Sequence, residues 1–147
     1  MERRNFIKQC GLLGASCLGL SLFIESCGAT HYVQGIASNN RLQINKSDFI
    51  ILKKDKTTFR KYIITKLENS DCPIVVYRFS ENNFSALLLR CTHQGNELNV
   101  NGDMLTCSAH GSEFSNKGDV IQGPAEQKLK SFPVTTDEKN IYIQLAA

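Results

Sequence analysis

The chain has 147 residues, 41% of them hydrophobic and 21% charged, with a formal net charge of +3. That length allows one domain and a short appendage, and so mild a charge, with no long run of like residues, gives no reason to expect nucleic acid or an acidic polymer as partner. The six cysteines are Cys10, Cys17, Cys27, Cys72, Cys91 and Cys107. Three lie in or beside an N-terminal apolar stretch, and the odd three left for the folded body suit metal ligation better than a disulfide framework.

Residues 1–27 read as a signal sequence or membrane-anchor region. A basic start (Arg3, Arg4, Lys8) leads through the apolar segment Cys10 to Ile24 into Glu25-Ser26-Cys27. That segment is about 15 residues, short of the roughly 20 that span a bilayer as a helix. Arg3-Arg4-Asn5-Phe6-Ile7-Lys8 resembles a twin-arginine export signal, although Glu2 stands where that family has Ser or Thr. Ile24-Glu25-Ser26-Cys27 resembles a lipoprotein box, which would place a lipid on Cys27; Glu25 is unusual inside it, and a retained helical anchor is the alternative. Twin-arginine export carries folded cargo, so a signal of this kind is itself a reason to expect a cofactor inserted in the cytoplasm.

Residues 28–40 are small and polar and are expected to form a tether, with residues 41–147 as the folded domain. Within it, short stretches rich in β-branched and aromatic residues alternate with turn residues. The expected strands are Arg41–Asn45, Asp48–Lys53, Phe59–Thr65, Ile74–Phe79, Phe84–Arg90, Leu98–Val100, Asp103–Thr106, Lys130–Val134 and Asn140–Leu145. Asn101-Gly102 between two of them is a strong hairpin signal. No helix of ten or more residues is expected. The fold class is therefore all-β, a small sandwich or barrel with a hairpin-bearing lobe.

The chemistry concentrates in two short segments. Cys91-Thr92-His93 is followed, after 13 intervening residues, by Cys107-Ser108-Ala109-His110. Each offers a soft thiolate and an imidazole at the end of an expected strand, and the intervening hairpin should bring the two loops face to face. Cys and His at such spacings also suit a tetrahedral structural zinc. A hydrolytic Cys–His pair would make both segments coincidental. Cys72, before Pro73, has no evident partner and reads as a small buried hydrophobe.

Cys91-Thr92-His93-Gln94-Gly95 and Cys107-Ser108-Ala109-His110-Gly111-Ser112 resemble the two cluster-binding boxes of Rieske iron–sulfur proteins. Gly123-Pro124-Ala125, with Leu129 and Phe132-Pro133-Val134 after it, resembles that family's proline-containing loop and following strand. The likeness covers roughly residues 72–145. It implies a Rieske-like fold and one [2Fe–2S] cluster, with Cys91 and Cys107 on one iron and His93 and His110 on the other. Two His in place of two Cys make such a centre less negative and raise its potential. The ring nitrogens turned away from iron can hold or lose protons, so reduction is expected to couple to pH. The resemblance gives Gly95 and Gly111 the role of letting backbone N–H groups close to the sulfides, and Ser112 that of hydrogen-bonding a bridging sulfide.

The departures from the family pattern carry information as well. Many quinol-oxidising members have one further Cys in each box, joined as a disulfide; those positions correspond to Asn96 and Ala109. A Tyr that often follows the second box is Phe114, which has no proton to donate. Both losses point to a potential in the middle or lower part of the roughly −150 to +300 mV Rieske range. The expected function is one-electron transfer on the outer face of the cytoplasmic membrane, as the iron–sulfur subunit of a quinol-oxidising or other respiratory complex rather than as a stand-alone enzyme. Its partners would be cytochrome b- or c-type proteins or quinol, with the membrane engaged through the N-terminus. The alternatives are the small Rieske subunit of an exported molybdenum oxidase, a Rieske-type ferredoxin feeding an oxygenase, and a non-redox zinc module.

Overall fold

The computed structural model describes residues 30–54, 56–67 and 70–145. The signal segment and the lipid-box residue Cys27 lie outside them. Among the described residues no helix is long and apolar enough to cross a membrane.

Among the described residues, the domain has fifteen short strands and one 3-10 turn. Its centre is a five-stranded sheet of β1 (Tyr32–Val33), β6 (Tyr62–Thr65), β7 (Ile74–Arg78), β8 (Phe84–Leu88) and β13 (Ser131–Phe132), in that order. Strand side chains alternate between the two faces of a sheet, and here both faces are covered. In β7, Val75 and Tyr77 enter one core while Ile74 and Val76 enter the other. The unbroken apolar run Ile74-Val75-Val76-Tyr77 is the signature of a strand buried on both sides. β8 divides in the same way, with Leu87 on the first side and Ala86 on the second.

The second core is closed by a four-stranded sheet in the order β14 (Val134–Thr136), β15 (Asn140–Gln144), β3 (Arg41–Asn45), β2 (Ile36–Ser38). Leu42, Ile44, Ile141 and Ile143 are its buried contribution. The first core is closed by another four-stranded sheet in the order β12 (Val120–Gln122), β11 (Glu113–Ser115), β10 (Met104–Thr106), β9 (Asn99–Asn101). This smaller lobe contributes Leu98, Leu105 and Phe114, together with Cys91 and Cys107. The remaining pair, β4 (Ile50–Lys53) and β5 (Lys56–Phe59), forms an exposed two-stranded ribbon.

The fold agrees with an all-β expectation and differs in its punctuation. Residues expected as a tether include two strands: β1 pairs in parallel with β6, and β2 pairs with β3, so the ordered domain reaches back to Tyr32. Their shortness concealed them: two- and three-residue edge strands have little to bury and carry no period. Asp48 and Phe49 belong to a 3-10 turn, Lys46–Phe49, not to a strand; the turn carries Phe49 into the second core, 5.5 Å from the Phe84 ring. The run Phe59–Thr65 breaks at Arg60, whose guanidinium donates to the Asp48 and Ile50 carbonyls at 3.2 and 2.7 Å. Pro133 divides β13 from β14: lacking an N–H, it interrupts the ladder where the chain passes from one sheet to the other.

Tyr77 ties the central sheet to the small lobe. Its buried hydroxyl donates to the Gly102 carbonyl at 3.1 Å, and burial raises its pKa well above that of a free phenol. Replacing Tyr77 with Phe is expected to cost about 1 kcal/mol, the net worth of one such bond. The midpoint of urea unfolding would show the loss, and an unchanged midpoint would mean that the lobes are held by apolar packing alone.

Candidate metal centre

The small lobe is built to present two loops at one end. β9 and β10 form a hairpin in register Asn101↔Met104, Leu105↔Val100 and Thr106↔Asn99. Its two turn residues are Gly102 and Asp103, and Gly102 has φ +63°. A positive φ at the first central position is the II′ pattern, whose twist matches that of the flanking strands. The turn is therefore centred one residue later than Asn101-Gly102.

The two Cys–His loops that flank this hairpin have the same backbone. The Gly95 N–H donates to the Cys91 carbonyl at 2.8 Å, and the Cys91 N–H donates to the Asn96 carbonyl at 2.8 Å. In the second loop the Gly111 N–H donates to the Cys107 carbonyl at 2.9 Å, and the Cys107 N–H donates to the Ser112 carbonyl at 2.8 Å. Both glycines stand at φ +79°, a conformation that costs an L-residue about 1–2 kcal/mol. The loops thus repeat each other although the imidazole follows its cysteine by two residues in one and three in the other.

This repetition sorts the donors by depth. Cys91 and Cys107 are each 2% exposed, are not in disulfides, and lie among Leu89, Leu98, Leu105 and Leu129. His93 and His110 are exposed, with ring centroids 4.9 Å apart and planes nearly perpendicular. All four side chains singled out from the sequence are thereby brought to one end of the lobe. Among the described residues, no three His, Cys, Asp or Glu side chains converge closely enough to hold a single metal ion.

A third loop braces the first two. The Thr92 hydroxyl donates to the Gln127 carbonyl at 2.7 Å, and the Gln122 amide donates to the Gly111 carbonyl at 3.2 Å. Between these anchors runs Gly123-Pro124, joined by a cis peptide bond. The Ala125 N–H donates to the fully buried Ser112 hydroxyl at 3.0 Å. Ser112 accepts there, and its own proton is given to no acceptor among the described residues. Thr92, Gln122 and Gln127 were not singled out from the sequence; no residue type signals a brace of this kind, since the acceptors are mostly backbone.

The two glycines differ in what surrounds them. At Gly111 an added Cβ would meet nothing within 4 Å, so that side of the loop is open. At Gly95 a Cβ would stand 3.1 Å from Arg90 Nε and 3.2 Å from Nη2. The sequence reading gave both glycines the task of admitting backbone to the sulfides. At Gly95 the missing Cβ also makes room for the Arg90 guanidinium. Cys72 is buried and free, as expected, and burial raises its thiol pKa.

Residues 46–133 match the Rieske [2Fe-2S] domain, more than half of the chain. The chain belongs to the Rieske family. Its cofactor is a [2Fe–2S] cluster. Solved structures similar to this chain include the plasma-membrane Rieske protein PetC3 of the cyanobacterium Synechocystis PCC 6803, at 26% identity and TM-score 0.49 over 56% of this chain and 85% of that one. A chain from the complex of reduced oxygenase and oxidised ferredoxin in carbazole 1,9a-dioxygenase is similar at 25% identity and TM-score 0.46, over 58% of this chain and 81% of that one. Naphthalene 1,2-dioxygenase bound to phenanthrene is similar at 24% identity and TM-score 0.48, over 58% of this chain but 22% of that larger one. No curated protein sequence matches. The residues of this Rieske domain fit such a centre: two shielded thiols, two solvent-facing imidazoles, an open side at Gly111 and a buried hydroxyl with a proton to give.

Proposed function

We propose that Cys91 and Cys107 bind one iron and His93 and His110 the other, and that the domain passes single electrons through its histidine edge. The observation that carries this reading is the sorting of donors by depth: thiols inside, imidazoles at the surface, on two loops of matching backbone. When bound, the cluster accepts and releases one electron. The apolar residues around the two thiols exclude water from the cysteine side. The exposed rings leave the histidine side as the short route to a partner. Ser112 is placed to donate its spare proton to a sulfide, while the third loop holds that hydroxyl in position through Ala125.

The export signal supports a site of action on the outer face of the cytoplasmic membrane, with the N-terminus as anchor and Cys27 as the lipid-bearing residue. In that setting the domain serves as the iron–sulfur subunit of a quinol-oxidising or other respiratory complex, with a cytochrome b- or c-type protein or quinol as its redox partner. A second reading, the small Rieske subunit of an exported molybdenum oxidase, is favoured by Asn96 and Ala109 at the positions where a bracing disulfide would otherwise stand. An oxygenase-feeding ferredoxin shares that feature but fits the export signal poorly.

Absorbance and EPR spectra of the dithionite-reduced protein test the ligand assignment; a colourless, iron-free protein after anaerobic isolation would refute it. The neighbouring genes separate the settings: a cytochrome b gene supports the respiratory complex, and a molybdopterin subunit supports the oxidase. A redox titration should place the midpoint in the middle or lower part of the roughly −150 to +300 mV range. A midpoint at its top would show that neither the disulfide nor a tyrosine at position 114 is needed for a high potential.

A further inference from the structure

A cleft of about 410 Å³ opens beside the first Cys–His loop, lined by Arg90, Thr92, His93, Gln94, Gln127 and Lys130 among others. Two of these are cations, and both are placed by the fold. The Arg90 guanidinium packs on the bare face of Gly95. Lys130 immediately precedes β13; its carbonyl accepts the Leu88 N–H at 2.9 Å, and its ammonium lies 5.2 Å from the Phe132 ring centroid. Neither cation forms a salt bridge among the described residues, where the ion pairs are Lys61–Asp103 and Lys128–Asp119. Glu97 stands opposite Arg90 in an isolated antiparallel bridge, and both it and Glu126 are exposed, yet neither forms a salt bridge with Arg90 or Lys130. Two positive charges outside any salt bridge among the described residues therefore share one cleft with an exposed imidazole.

From this placement we infer that the His93 side of the domain is the docking face for a redox protein that presents carboxylates around its own centre, with Arg90 and Lys130 as the positions that recognise them. The inference rests on the ligand assignment above. Cations beside an electron exit raise the encounter rate with an anionic partner and lower it with a cationic one, and salt screens both effects. The chain as a whole is only mildly basic, so preference for an anionic partner would come from this local pair rather than from net charge.

The test uses the dithionite-reduced holoprotein and two inorganic oxidants of opposite charge, ferricyanide and a tris-phenanthroline cobalt(III) complex, mixed by stopped flow at several salt concentrations. The variant R90Q/K130Q is compared with K54Q/K56Q, which removes the same charge from the exposed β4–β5 ribbon. At low salt R90Q/K130Q should react with ferricyanide about tenfold more slowly and with the cobalt complex faster, whereas K54Q/K56Q should change either rate less than twofold. Opposite responses to the two oxidants identify docking, because a shifted potential would move both rates in one direction. Equal effects of the two double variants, or same-sign changes with both oxidants, would overturn the inference. Loss of the reduced EPR signal in the unaltered protein would instead overturn the ligand assignment beneath it.

Discussion

Replacing His110 with Ala is expected to abolish the cluster: no visible absorbance, no EPR signal after reduction, and iron content near zero. In the proposed assignment the imidazole is the second protein donor on its iron. An iron left with one protein ligand beside solvent would be lost during assembly. Ligand binding to the native state stabilises it, so the variant should also unfold at lower denaturant. If it fails to fold at all, His110→Cys supplies a thiolate at the same place; it should restore colour with a lowered potential, because a thiolate adds negative charge. Cys72→Ala is the control and should retain full iron content, for Cys72 is a buried free thiol on neither Cys–His loop and outside the core cluster that holds Cys91 and Cys107. Normal reduced spectra from His110→Ala would disprove the assignment.

Ser112→Ala should keep the cluster and lower its midpoint potential. A hydrogen bond to a charged group is worth roughly 1.5–3 kcal/mol, and reduction adds negative charge that this bond stabilises. At about 59 mV for each tenfold change in a one-electron equilibrium, a bond of that worth made only in the reduced state would correspond to roughly 60–130 mV, which bounds the fall from above. Ser112→Thr, which retains a hydroxyl, should recover most of it. Recovery distinguishes the hydroxyl's own effect from slackening of the third loop, since Ala125 loses its acceptor in Ser112→Ala. A midpoint unchanged in Ser112→Ala, with the cluster present, would show that the buried hydroxyl serves only the backbone of that loop.

The chemistry of this protein lay open in its primary structure because ligand identity and loop spacing are local properties. Cys91, His93, Cys107 and His110 could be named without coordinates, and so could the hairpin between them, since turn residues and short alternating strands leave their mark within a few positions. β11 and β12 could not be read: three-residue strands of which only Phe114 is buried carry no measurable period. β1 and β2 were concealed for a related reason, being edge strands with little to bury.

What the sequence by itself determined was the two Cys–His segments, the all-β class and the Gly-Pro loop. Only the tertiary structure decided that the thiols lie in an apolar core with the imidazoles outside, that Gly95 makes way for Arg90, and that Ser112 is held by the Ala125 N–H. Each of these depends on elements that meet across the fold. Burial and charge proximity are set by what packs against a residue, and a linear pattern does not contain that information.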